Sequence, residues 1–421
     1  MKGKLLSVLM AIVLLILAGC GDGTKTARSD KHRETSPKVN ETDLAAQIGG
    51  NSTFAFDLYH EIKTGNDNLF YSPYSISVAL AMTYAGARGE TEQQMAETLH
   101  FILSQDSLHP SFNALDIQLA ARGEGAKGKE GEGFQLNIVN AIWGQEDYKF
   151  LSEFLDVLAE NYGAGLRLLD FAKAPEESRI TINRWISEQT EGRIEDMIPQ
   201  GTIDTLTRLV LTNAIYFNAA WQNPFSEDRT EEGMFHLLND DEVTVPMMRH
   251  KKSFDYVDGE GYQAVELPYD GREISMVILL PDSGQFETFE GSLNAEEVEA
   301  IVEQLSSYEV NLTMPKFTLD SSFELGKTLS NMGMPDAFLE GVADFSGMDS
   351  TRELFIREVV HKAFVAVDEA GTEAAAATEV VMEVAVEKPA EITIDRPFIF
   401  LIRDIETGTI LFVGRVMNPI A

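Results

Sequence analysis

The chain opens with an apolar run, residues 5–18, interrupted only by Ser7, between Lys2 and Lys4 on one side and Gly19-Cys20 on the other. Residues 21–47 then carry few large apolar side chains, and beyond them apolar positions recur with helical or strand period. Phe54, Leu58 and Ile62 share one face of a helix predicted over 50–63, closed by Gly65. Ser72-Pro73 precedes a helix predicted from Ser75 to about Ala87, and a third follows Thr91, with Glu92 in its first turn. Further helices are predicted over 150–162, 176–190 and near 322–332. Strands are predicted at Leu136–Trp143, Leu209–Phe217, 308–317, 353–367, 392–402 and 409–416. Ala264–Tyr269 runs into Asp270-Gly271, the pair a type I′ turn prefers, and Ile274–Leu280 returns, so 262–280 is predicted as a hairpin. The Gly- and charge-rich stretch 121–133 is predicted as a loop. Helices gather early and strands late, which predicts an α+β fold with mainly antiparallel sheets rather than a doubly wound one.

One segment fits neither period alone. From Gly371 the sequence passes through Thr372, Glu373 and the four alanines 374–377 to Thr378, then through a β-branched stretch to Lys388-Pro389. In strand period, Thr372, Ala374, Ala376, Thr378, Val380 and Met382 form an uncharged face, and Glu373, Glu379 and Glu383 fall on the other. Such a strand fits the middle of a sheet with its small face inward. Taken alone, the segment fits a capped helix start better, because Ala is the best helix former; a linker is the third option.

Charge and the N-terminus add a location. Lysines, an apolar run and a small-residue boundary compose an export signal over residues 1–19, too short for the ~20 residues of a spanning helix. Leu17-Ala18-Gly19-Cys20 resembles a prokaryotic lipobox, and Cys20 is the chain's only cysteine. The expectation is a lipoprotein attached at Cys20, cell-surface or periplasmic, with residues 20–47 as a flexible tether. Loss of the leader with its two lysines takes the formal charge from −35 to −37, which disfavours nucleic acid as a partner. The membrane is expected to be met through the lipid only, by a monomer.

Catalytic patterns are missing. There is no Gly-x-Ser-x-Gly at a strand-to-helix turn, no His-Glu-x-x-His and no Gly-rich phosphate loop after a strand. Seven scattered histidines and one cysteine give a zinc site little to work with. No cofactor or metal is expected.

Short motifs do line up in order. They are Asn68-Leu-Phe-Tyr-Ser-Pro-Tyr-Ser75, Ala85-Gly-Ala-Arg-Gly-Glu-Thr91, Ile182-Asn-x-Trp185 with Thr190-x-Gly192-x-Ile194, and Leu211–Phe217 leading to Trp221-x-x-Pro-Phe225. Pro315-Lys-Phe317, Ala343-Asp-Phe-Ser346, His361-Lys-Ala363, Asp395-Arg-Pro-Phe398 and Gly414-Arg-Val-x-Asn-Pro419 follow. The ordered set, over residues 48–421, resembles the serpins.

The resemblance implies a single α+β domain of three mainly antiparallel sheets and about nine helices, with residues from about 371 to 389 as an exposed reactive loop. It implies no enzyme activity. A target serine protease would cut the loop, form a covalent acyl complex and be carried along as the cut loop enters the large sheet. Glu369, Gly371, Thr372, Glu373, Ala374, Ala375, Ala376, Ala377 and Thr378 then form the hinge. Seventeen positions counted inclusively from Glu369 put the cut at Ala385-Val386; counting back from Pro397 puts it at Val386-Glu387. Small aliphatic residues there imply elastase-like targets, possible cutting after Met382 adds chymotrypsin- or subtilisin-like ones, and the lack of Arg or Lys between Gly371 and Lys388 disfavours trypsin-like ones. Ser72, Ser75, Asn213 and His361 match a polar cluster under the central strands, and Trp221 matches the residue beneath the insertion point. The competing expectations are a serpin fold that no longer inserts and a surface-tethered solute-binding lipoprotein.

Overall fold

The computed structural model describes residues 24–123, 135–372 and 389–420. Among these residues ten α-helices form: α1 Glu41–Ile62, α2 Pro73–Tyr84, α3 Gly89–Thr98, α4 Gln105–Ala120, α5 Ser152–Tyr162, α6 Pro175–Gln189, α7 Phe286–Ser292, α8 Ala295–Gln304, α9 Gly326–Met332 and α10 Ser346–Asp349. The first eight strands are β1 Lys25–Ala27, β2 Leu69–Tyr71, β3 Gln135–Gln145, β4 Leu166–Leu169, β5 Leu209–Ala220, β6 Glu231–His236, β7 Glu242–Gly259 and β8 Tyr262–Pro268. The rest are β9 Ile274–Pro281, β10 Ser306–Pro315, β11 Phe317–Glu324, β12 Ile356–Val367, β13 Gly371–Thr372, β14 Ala390–Thr393, β15 Phe398–Asp404 and β16 Ile410–Val416.

Strand pairing makes an α+β domain around two sheets. One has the order β1-β4-β3-β5-β13-β12-β11, the other β14-β10-β7-β8-β9-β15-β16-β2, with β6 on β7. The second and third sheets expected from the resemblance are joined by β7, whose early residues pair with β6 and whose later ones pair with β8.

The seven-stranded sheet is covered on both faces because β5 carries buried apolar side chains on both of them. Leu209, Leu211, Ile215 and Phe217 enter the main core, while Val210 and Ala214 join a second core under α6, with Trp143 and Trp185 packed edge to face at 5.3 Å. A third motif closes the chain on itself. Buried Arg415 bonds Glu290 at 2.8 Å and the carbonyls of Thr64, Gly65 and Asp67, and Asn68 Oδ1 accepts from the backbone N–H of Met417 and Asn418.

Several expectations need correction. Residues 24–47 are not a flexible tether. β1 pairs with β4, Arg33 bonds buried Asn113 at 2.7 Å, Glu34 N–H donates to Glu160 O at 2.8 Å, and α1 starts at Glu41, nine residues before 50. Polar composition concealed this, because the segment is held by hydrogen bonds and ion pairs rather than apolar burial; the Asn40 side chain caps α1 by accepting from Asp43 N–H. The strand expected over 392–402 is two strands in different places, β14 and β15, parted before Pro397, which offers no N–H to a ladder. β11 continues to Glu324, leaving α9 only 326–332 of the helix expected near 322–332. α4 was hidden by Pro110, which reads as a helix breaker yet lies within its second turn. The stretch 124–133 of the expected loop, together with Cys20, Glu373–Thr378, Ala385 and Val386, lies outside the described residues.

Candidate functional site

The central seam of the seven-stranded sheet is closed below and wedged open above. β5 and β12 run parallel and pair directly from Leu209 opposite Ile356 to Tyr216 opposite Phe364. Above that, Gly371 and Thr372 lie between them, antiparallel to β5 at Ala220 and Ala219, with Thr372 opposite Val367 on β12. Gly371 is needed for closeness, since a Cβ there would sit 2.2 Å from the Ala219 carbonyl oxygen. The exposed loop expected from Gly371 is therefore corrected at its start: Gly371 and Thr372 are buried strand, which also decides against a helix beginning there.

Thr372 is 0% exposed and its hydroxyl lies 2.9 Å from the Tyr269 hydroxyl. Tyr269 stacks on Trp221 at 4.6 Å and meets Phe217 edge to face at 5.1 Å. Trp221 lies against the turn that precedes β13. Its indole N–H donates to Asp368 O at 3.0 Å and its backbone N–H to Ala370 O at 2.9 Å.

The turn before the wedge is pinned by side chains. The Asp368 carboxylate accepts from Ala370 N–H at 2.9 Å and Gly371 N–H at 3.3 Å; burial nevertheless leaves its pKa above the usual range. Glu369 is buried, accepting from Thr230 Oγ1 and Lys316 Nζ, both at 2.7 Å. Burial pushes the Glu369 carboxyl up, but the Lys316 and Thr230 hydrogen bonds prevail and hold it below the usual glutamate range. Lys316→Ala would leave a buried carboxylate with one hydroxyl partner. Because the lysine is itself part-exposed, the expected loss is about 1–2 kcal/mol. A lower thermal midpoint and heat-induced oligomers on native gels are the expected readouts, and Lys316→Arg should restore both.

Lower on the seam, a polar cluster crosses three strands. Asn140, Asn213 and His361 occupy paired positions on β3, β5 and β12, all under the start of α2. Ser72 caps that helix, with Pro73 in its first turn, and accepts from Ser75 N–H at 3.2 Å. Ser75 Oγ is then free to donate to Asn213 Oδ1 at 2.8 Å, and the Asn213 amide donates to Asn140 Oδ1. The backbone N–H of Ser72 donates to His361 Nε2 at 3.2 Å, so the imidazole proton sits on Nδ1, which donates to Asn213 Oδ1. Burial pushes His361 down to about 3, so it is neutral near pH 7.

The structure thus brings together Ser72, Ser75, Asn213 and His361 as one network, and Glu369, Gly371, Thr372 and Trp221 as another. Sequence reasoning missed Asn140, Thr230, Tyr269 and the bond from Lys316. Asn140 had a signal: it is a polar residue in the middle of the apolar stretch 136–143. Tyr269 and Thr230 had none, because both reach Thr372 and Glu369 from segments remote in sequence.

The comparisons agree with this geometry. The family described as Serpin (serine protease inhibitor) matches residues 49–419. An uncharacterized serpin-like protein of Thermococcus kodakarensis is 39% identical, with 98% of each chain covered. The leukocyte elastase inhibitor of Homo sapiens is 40% identical over 88% of this chain and 98% of its own. The native-state structure of a thermophilic serpin, tengpin, superposes with a TM-score of 0.82 at 27% identity, covering 94% of this chain and 100% of that one. By this match over most of its length the chain belongs to the serpin family, whose members named here as inhibitors restrain proteases rather than catalyse a reaction.

Proposed function

We propose that the chain inhibits elastase-like serine proteases as a suicide substrate, trapping the acyl-enzyme by inserting its cut loop between β5 and β12. The protease hydroxyl attacks the Ala385 carbonyl, the Ala385-Val386 bond breaks, and the amine of Val386 leaves with the proton. Insertion must then outrun hydrolysis of the ester. The observation that carries the reading is Thr372, fully buried with Gly371 in the seam while the strands below still pair with each other. The remaining inward positions, Ala374, Ala376, Thr378, Val380 and Met382, bring no charge into the core. Glu369 and Gly371 to Thr378 act as the hinge, Trp221 receives it, and Ser72, Ser75, Asn213 and His361 must exchange hydrogen bonds as the seam opens. A strand of ~14 residues reaches ~46 Å at ~3.3 Å per residue, enough to carry an enzyme along the domain.

Elastase-like specificity is supported by small aliphatic residues at the cut and by the name of the inhibitors at about 40% identity. The mature chain is proposed to be exported and held at the cell surface or in the periplasm by a lipid on Cys20. The test mixes the chain with elastase, chymotrypsin, trypsin and subtilisin. A detergent-stable adduct with elastase and release of the 36 residues Val386–Ala421 are expected. Digestion by all four with no adduct defeats the reading.

A further inference from the structure

Strand direction fixes which end of the seven-stranded sheet the N-terminus leaves from. Gly371 and Thr372 pair with Ala220 and Ala219, the C-terminal end of β5. At the other end of β5, Leu209 lies opposite Gly144 of antiparallel β3. Gly144 lies opposite Leu168 of β4, which runs parallel to β3, and Leu168 lies opposite Lys25 of antiparallel β1. Lys25, Leu168, Gly144 and Leu209 therefore form one row across the end of the sheet remote from Thr372. This is the end toward which an inserting strand grows.

The residues before Lys25 leave from that row. Cys20 precedes Lys25 by five residues, a reach of at most ~18 Å even when fully extended. β1 does not hang loose: Lys25 bonds Glu146 at 2.8 Å, Ser29 bonds Asp156, Lys31 bonds Glu160 at 2.9 Å and Arg33 bonds Asp116. The slack between a group on Cys20 and the sheet is therefore those few residues only.

Charge at this end is partly compensated. The chain has 68 acids against 33 bases, yet here Glu146 faces Lys25, Asp147 and Asp170 face Lys173 at 3.6 and 3.3 Å, and Asp204 faces Arg357 at 2.8 Å. A lipid surface of negative charge is repelled less by acids paired in this way than by unpaired ones.

We infer that a lipid on Cys20 seats the molecule with the row Lys25–Leu209 toward the membrane, holding the uncut loop at the distal end. A trapped protease then arrives between the domain and the lipid surface. This rests on the lipid-anchored inhibitor proposed above. A protease of ordinary size, with a radius of gyration of ~17 Å and so a width of ~44 Å, is wider than the ~18 Å tether allows, and its arrival must tilt the domain or lift it from the surface.

The experiment places the full chain, anchored through its own Cys20 lipid, on phosphatidylcholine vesicles carrying an acceptor dye. In a second arm the chain processed to start at Cys20 is coupled through that thiol, the only one present, to a maleimide lipid, so the geometry is read whether or not cells lipidate it. Donor-labelled elastase is added either active or with its nucleophilic serine replaced by alanine. Energy transfer to the membrane is expected to be low for the docked alanine variant and to rise severalfold as the active enzyme forms its adduct. A ~20-residue Gly/Ser insert between Gly23 and Thr24 should reduce that rise, since a longer flexible linker lets the domain stand off. High transfer from the docked variant, or an adduct with no change in transfer, overturns the orientation while leaving inhibition intact. Absence of an adduct in solution removes the inhibitor reading and the delivery step with it, and the docked variant still reports which end faces the lipid.

Discussion

Thr372→Arg is expected to turn the inhibitor into a substrate: elastase should cut the loop at the same bond and at a similar rate, and almost no covalent adduct should remain. The reason is position. Thr372 is 0% exposed and its hydroxyl is 2.9 Å from that of Tyr269, within a set of rings that includes Trp221 and Phe217. Among the described residues no carboxylate is bonded to it there. A guanidinium at this point must either shed its water without a partner, which costs several kcal/mol, or hold the start of the strand out of the seam. A penalty of ~3 kcal/mol felt during insertion slows it more than ~100-fold, long enough for ester hydrolysis to prevail. The moles of inhibitor consumed per mole of enzyme blocked should therefore rise more than about tenfold on the same rate argument. Thr372→Val is the control. It removes one hydrogen bond worth ~1 kcal/mol and keeps the methyl surface, so adducts should persist. Undiminished adducts from the arginine variant would mean that the loop does not enter where β13 lies.

The same residue shows how far sequence reasoning reached. The period-two split of Thr372 to Met382 was legible, but the alanines made helix the better local choice, and only the ordered motifs on either side favoured a strand. Local propensity could not choose because the segment's environment is built by β5 and β12, about 150 residues apart in sequence at their paired centres. Ser72, Ser75, Asn213 and His361 were found by motif, and their convergence follows from a helix cap laid across two strands. Asn140 completes the network from a third strand, and strand register is not visible in an isolated apolar run. Residues 24–40 were misread for a different reason. Low apolar content argues against a packed core, but Arg33, Glu34 and Lys31 dock onto α4 and α5 through charge and backbone bonds that composition does not reveal. β7 escaped because the polar residues Arg249, His250, Lys251 and Lys252 interrupt its buried positions at mid-strand.

Acid should loosen the seam, and His361 sets the direction. Its ring touches the Ser72 N–H, the Asn213 amide oxygen and the stacked ring of Phe323, none of which carries charge. Burial pushes its pKa from an ordinary 6.5 to about 3, so the folded state keeps it neutral where a solvated histidine binds a proton. The unfolded chain therefore takes up the extra proton between pH 6.5 and about 3, and native stability falls as pH drops through that window and is constant above it. At pH 5 the loss from this one residue relative to pH 7.5 is about 2 kcal/mol. His109 and His250, both lowered to about 4 by burial, act in the same direction, so the wild-type slope alone does not isolate His361. His361→Gln does: a neutral amide keeps a donor and an acceptor in the cluster and cannot titrate. Urea unfolding at pH 7.5 and pH 5 should show the variant less stable at the higher pH but losing about 2 kcal/mol less than wild type on acidification. Equal losses in the two proteins would mean that His361 is not held neutral by its burial. Protonation also turns Nε2 from acceptor to donor facing the Ser72 N–H, so the bond that joins the start of α2 to β12 is lost.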